Sequence, residues 1–147
     1  MKEYLKIKGE VALKLTDKDG NVKQELNINN LITNSGLSFI TSRMIGTDQN
    51  VMAYMAMGSG TAAASAGDTT LGSQLGNREA LDSLTANVGV VTHTSTFEAG
   101  DATGAITEAG IFNAASGGQM LARTVFPAVN KSSTDTLAIT WVVTISV

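Results

Sequence analysis

The last twelve residues of the chain, Thr136 to Val147, alternate with a period of two. Leu137, Ile139, Trp141, Val143, Ile145 and Val147 fall on one side. Thr136, Ala138, Thr140, Thr144 and Ser146 fall on the other. This is the pattern of a β-strand with one buried face. It predicts a final strand over 135–147 that ties this end of the chain into a sheet. A chain built this way, and without recognisable chemistry elsewhere, is expected to be a structural part rather than an enzyme.

The same alternation recurs upstream. Leu5, Ile7, Val11, Leu13 and Leu15 predict a strand over 5–15, and 22–28 returns as its hairpin partner across Asp17-Lys18-Asp19-Gly20-Asn21. Lys6, Lys8, Glu10, Lys14, Lys23 and Glu25 give this hairpin a charged outer face. Residues 1–28 are therefore read as a charged hairpin that can stand apart as an arm. Further strands are expected at about 79–86, 88–98, 105–112 and 119–126, the last closed by Pro127, which has no N–H for a ladder.

One helix is expected near 35–45. Asn34 or Ser35 caps it, Leu37, Ile40, Thr41 and Met44 recur at helical spacing, and Gly46 ends it. Val51 to Met57 is wholly apolar. It reads as a strand buried on both faces or as one side of a subunit contact. Gly58 to Gly76 is a long loop rich in Gly, Ala, Ser and Thr, and loops of that length are usually functional or disordered. The sum is an all-β, antiparallel, jelly-roll-like sandwich of about eight strands and one short helix. With 147 residues and no internal repeat, a single domain is expected.

Charge and residue usage narrow the function classes. The net charge is -3, which argues against a general nucleic-acid binder. Six of the ten basic residues lie in the first 23 positions. There is no cysteine, hence no disulfide and no thiolate chemistry. The first residues lack the apolar core of a signal peptide, and no run approaches the roughly 20 apolar residues that span a bilayer. Synthesis in a cytosol and no membrane partner are expected.

Candidate chemistry is sparse. His93 is the only histidine, has no nucleophile-elbow motif beside it, and reads as a strand residue on a polar face. Without cysteine it cannot complete a typical zinc site. Asp17-x-Asp19-x-Asn21 has the opening spacing of a calcium loop, but Gly20 is at the fourth place and Ile28 stands where a bidentate glutamate is needed. Gly58-Ser59-Gly60 resembles a phosphate-cradling turn, yet no lysine and no helix pattern follow. Glu98, Asp101 and Glu108 are carboxylates that sequence cannot bring together. Glu108 lies in a strand otherwise suited to burial, so it is expected in a structural ion pair with Arg78 or Arg123. No catalytic residue, cofactor or metal ligand is expected, and the sequon at Asn130-Lys131-Ser132 carries no weight without a secretory signal.

Several segments occur in a suggestive order: Asn30-Leu31-Ile32-Thr33-Asn34-Ser35-Gly36-Leu37, Met55-Ala56-Met57-Gly58-Ser59-Gly60-Thr61, Gly67-Asp68-Thr69-Thr70-Leu71, and Asn77-Arg78-Glu79. Ile106 to Asn113, Gly118 to Phe126 and Asp135 to Trp141 follow. This order resembles small virion structural proteins of tailed bacteriophages, of the capsid decoration, head-fibre or tail-collar kind. The resemblance covers about residues 26–147 and leaves the first hairpin unmatched. It implies a β-sandwich that works as an oligomer, three-fold by implication, on the particle surface without enzymatic activity. The expected partner is the major capsid protein and the expected location is the phage head. A tail-collar or fibre-anchoring role is the near alternative, and a host-receptor or glycan-binding module the distant one. Contact surface is expected at Lys6, Lys8 and Lys14 on the hairpin and at Met52, Tyr54, Met55 and Met57 in the apolar run.

Overall fold

The computed structural model describes residues 3–47 and 49–147. Met1, Lys2 and Asp48 lie outside the described residues. The strands are β1 (Lys6–Thr16), β2 (Val22–Asn29), β3 (Leu31–Ile32), β4 (Tyr54–Gly58), β5 (Gln74–Ala80), β6 (Ser83–Asn87), β7 (Val90–Phe97), β8 (Gly104–Phe112), β9 (Met120–Lys131) and β10 (Thr136–Ser146), with one helix, α1 (Asn34–Met44). Two five-stranded antiparallel sheets pack as a sandwich. Sheet A runs β2-β1-β10-β7-β6 and sheet B runs β3-β9-β8-β4-β5.

The period-two strands form the middle of sheet A. β1 pairs with β10 so that Val11 faces Trp141, Leu13 faces Ile139 and Leu15 faces Leu137. All six side chains are buried on the inner face. They meet Met55, Met57, Ile106, Ile111 and Val129 of sheet B in one hydrophobic cluster. Burying each such side chain contributes about 1.5–3 kcal/mol. The first hairpin is thus not an arm: β1 lies between β2 and β10 inside sheet A. Its turn is as expected, with the Asp17 carboxylate accepting from the N–H groups of Asp19 and Asn21, both at 2.9 Å.

A tight polar contact fixes the crossover between the sheets. Asn30 follows β2, and its side-chain oxygen accepts from the Trp141 indole N–H at 3.2 Å. Gly9 leaves the space that the Asn30 amide fills; a Cβ there would collide with it. From Asn30 the chain enters sheet B as β3.

Four expectations need correction. Among the described residues there are ten strands where about eight were expected: β3 lies outside every expected run, and the run read as 79–86 bends at Leu81–Asp82, so that β5 belongs to sheet B and β6 to sheet A. Pro127 does not close β9. Ile106 pairs with Val129 while Glu108 pairs with Val125, so Pro127 sits in the irregularity between them, where no ladder N–H is needed. The helix cap is Thr33, whose hydroxyl accepts from the Gly36 N–H at 2.9 Å, rather than Asn34 or Ser35. His93 is not on a polar face. It points into the sandwich, is buried, and donates from Nδ1 to the Trp141 carbonyl at 3.1 Å.

Candidate functional site

The most concentrated polar chemistry lies on the outer face of sheet B, beneath the loop 59–73. β8 is buried on both sides because this loop folds back over it. Leu71 of the loop joins Ala56, Phe112 and Met120 in a second small apolar cluster. Beside that cluster lies Glu108, fully buried, with Arg123 3 % exposed.

Every acceptor direction of Glu108 is used. Oε1 accepts from the N–H groups of Gly60 at 2.9 Å and Ser73 at 2.7 Å. Oε2 accepts from the Gly72 N–H at 2.9 Å and from Arg123 Nε and Nη2 at 3.0 and 2.8 Å. Burial pushes the carboxyl up, but the Ser73 and Gly72 N–H groups, the Arg123 guanidinium and the Gly60 N–H outweigh it and hold the group below its ordinary value. Gly58 and Gly60 are required by space, because a Cβ at either would meet the Glu108 side chain.

Arg123 extends the same network into the loop. Nη1 reaches Asp68 at 2.9 Å and Nη2 the Ala62 carbonyl at 3.0 Å. Thr107 donates to the Gly60 carbonyl at 2.7 Å, and the Asn34 N–H donates to the Ala66 carbonyl at 2.8 Å, which ties the loop to the start of α1. The loop therefore has a fixed shape and turns Thr61, Ala62, Ala63, Ser65, Ala66, Gly67, Thr69 and Thr70 to solvent. A carboxylate saturated by five donors is not a poised base. It holds a surface in place.

The expected ion pair of Glu108 is with Arg123; Arg78 lies elsewhere. Its guanidinium stacks on the Phe112 ring, 3.5 Å from the centroid, and donates to the carbonyls of Ala114 and Gly117, both at 2.8 Å. It braces the β8–β9 turn.

The expected contact residues divide. Lys6, Lys8 and Lys14 are exposed on the outer face of β1. Glu10 stands 3.9 Å from Lys8 and Glu25 is opposite Lys14 in register, so the stripe is of mixed sign. Met55 and Met57 are completely buried and belong to the core, which corrects their reading as contact surface. Tyr54 is half-buried against the small outer cluster. Met52 is buried at the side of an apolar cleft.

That cleft, about 390 Å³, opens between α1 and the β6 edge of sheet A. Phe39, Ile40, Val51, Met52, Leu84 and His93 line it. Desolvation pushes the His93 imidazole below its ordinary value, opposed by the Trp141 carbonyl, so it is neutral at pH 7. Among the described residues no three of His, Asp and Glu gather to hold a metal ion, and no helix is long and apolar enough to cross a membrane.

Asp68, Gly72 and Ser73 were missed as members of the site. The available signal was the pair of glycine-containing ends, 58–60 and 72–76, flanking a loop too long to be a plain connection. The anion-cradling reading of Gly58-Ser59-Gly60 has a counterpart: Gly60 does hold an anion, the chain's own Glu108 carboxylate. No family model, no curated protein and no solved structure matches the chain.

Proposed function

We propose that this chain is a structural protein of a tailed-bacteriophage virion, a decoration (cement) protein that binds assembled major capsid subunits on the head surface and stabilises the shell. The observation that carries the reading is the meeting of the resembling segments in one unit. Met55–Thr61, Gly67–Leu71, Ile106–Asn113 and Gly118–Phe126 supply Gly60, Asp68, Glu108 and Arg123, and these four converge on the shaped loop. A buried network spent on fixing the outline of a small-residue loop suits adhesion between neighbours. A cement protein acts by mass action, since it binds the lattice and not the free subunit. Weak single contacts suffice where several subunits engage together. The three-fold association that the resemblance implies belongs to this reading.

Copy number in purified particles tests it. Many copies spread over the shell are expected. A few copies at one vertex would favour the tail-collar or fibre-anchoring role, and absence from particles would overturn the virion reading. The glycan-binding alternative is disfavoured by Trp141, which is fully buried and offers no stacking platform.

A further inference from the structure

Natural sheets protect their edges with charge, shortness or bulges. Three of the four edges here follow that rule. β2 carries Lys23 and Glu25, β3 has two residues, and β5 carries Arg78 and Glu79 with a register shift against β4. β6 does not. Ser83-Leu84-Thr85-Ala86-Asn87 is exposed throughout, and no Asp, Glu, Lys or Arg occurs from Ser83 to Phe97.

Among the described residues the β6 backbone pairs with β7 alone. Asn87 and Val90 flank a two-residue turn, so Ser83, Thr85 and Asn87 bond to β7. Leu84 and Ala86 then aim their N–H and C=O groups outward. Their side chains line the apolar cleft.

We propose that β6 pairs antiparallel with β6 of a second copy of this chain, about a two-fold axis at Thr85. The strand is self-complementary in that register, as a two-fold contact requires. Leu84 of each copy meets Ala86 of the other, large against small, and the two residues exchange about four backbone hydrogen bonds across the axis. The inward side chains of the added strand extend the apolar wall beside Ile40 and Val51. Thr85 faces its own copy on the outer surface. Among the described residues the acidic residue next to β6 in the chain is Asp82, and it ends up about 20 Å from its symmetry mate, beyond the reach of unscreened repulsion. The contact stands independently of the virion reading and involves a different symmetry operator from a three-fold ring.

The test is the solution mass of the full chain and of Thr85→Lys and Thr85→Glu. The wild type is expected at twice 15.2 kDa or an even multiple. Each charged variant places like charges opposite each other and is expected to lose the doubled mass while keeping its melting transition. Mixing the two variants is expected to restore it. Independently, the Leu84 and Ala86 amides are expected to exchange more slowly as wild-type concentration rises. A wild type that stays at monomer mass overturns the proposal. So do a trimer indifferent to both substitutions, an equimolar mixture that does not reassociate, and Leu84 and Ala86 amides whose exchange ignores concentration.

Discussion

Glu108 and Arg123 are diagonal neighbours on β8 and β9. Gly110 is the residue opposite Arg123 and Val125 the residue opposite Glu108, yet the two charged side chains meet at 2.8 Å under the 59–73 loop. Removing one partner of a buried pair leaves an uncompensated charge. Glu108→Gln or Arg123→Met is therefore expected to cost about 3–5 kcal/mol in urea unfolding. The double variant is expected to cost much less than the sum, because neither charge is then stranded. The loop should become the first site of proteolytic cleavage in either single variant. A single-variant cost near zero would mean that the pair does not hold the loop.

Acid sensitivity has a source separate from that network. Asp135 accepts from Lys23 at 2.7 Å and from the Ser132 N–H at 2.8 Å, and these partners lower its carboxyl to about 2. The unfolded chain binds that proton at about pH 3.9. Between these values the unfolded state holds more protons, so stability rises with pH. The contribution is complete above the unfolded value and is lost as pH falls toward 2. Asp135→Asn is therefore expected to be less stable than wild type at pH 5 and to converge on it by pH 2. A gap that persists unchanged at pH 2 would assign the difference to something other than this ionisation.

What was legible follows from whether neighbours interfere with periodicity. β1 and β10 have one solvated face, so Val11 to Leu15 and Leu137 to Val143 announce themselves by alternation. β4 has no such face, because the loop 59–73 covers its outer side. Met55 and Met57 therefore looked the same as Ala56, and nothing local marked which were core. The bend at Leu81–Asp82 carries no glycine or proline, so β5 and β6 read as one strand although they belong to different sheets. Glu108 stood out because a carboxylate in an apolar run needs a partner. Which arginine supplied it depended on the pairing of β8 with β9, a contact between distant parts of the chain.

The mixed-sign stripe on β1 gives the expected contact role of Lys6, Lys8 and Lys14 a direct test. Lys6, Lys8 and Lys14 are exposed and contribute to no buried contact, so replacing all three with alanine is expected to leave the melting temperature within a few degrees. If this face meets an acidic shell, occupancy on purified particles falls and its salt dependence becomes shallower. Unchanged occupancy would remove the face from the contact.

The tip of the β6–β7 hairpin holds the chain's most conspicuous local conflict. Val88 has φ 34° and Gly89 φ 77°, so both central residues occupy the left-handed region that two-residue hairpin turns require. Glycine accepts this freely. A β-branched valine does not, at a cost of about 1–2 kcal/mol. Val88 is 97 % exposed, so its side chain repays little of that cost within the free chain. Asparagine tolerates the same conformation and is favoured ahead of glycine in these turns. Val88→Asn is thus expected to stabilise the isolated chain by about 1 kcal/mol, raising the melting temperature by about 2–4 °C. Val88→Gly should gain less, because glycine loosens the unfolded chain as well. A destabilised Val88→Asn would mean that the valine side chain does work at this tip that its exposure conceals.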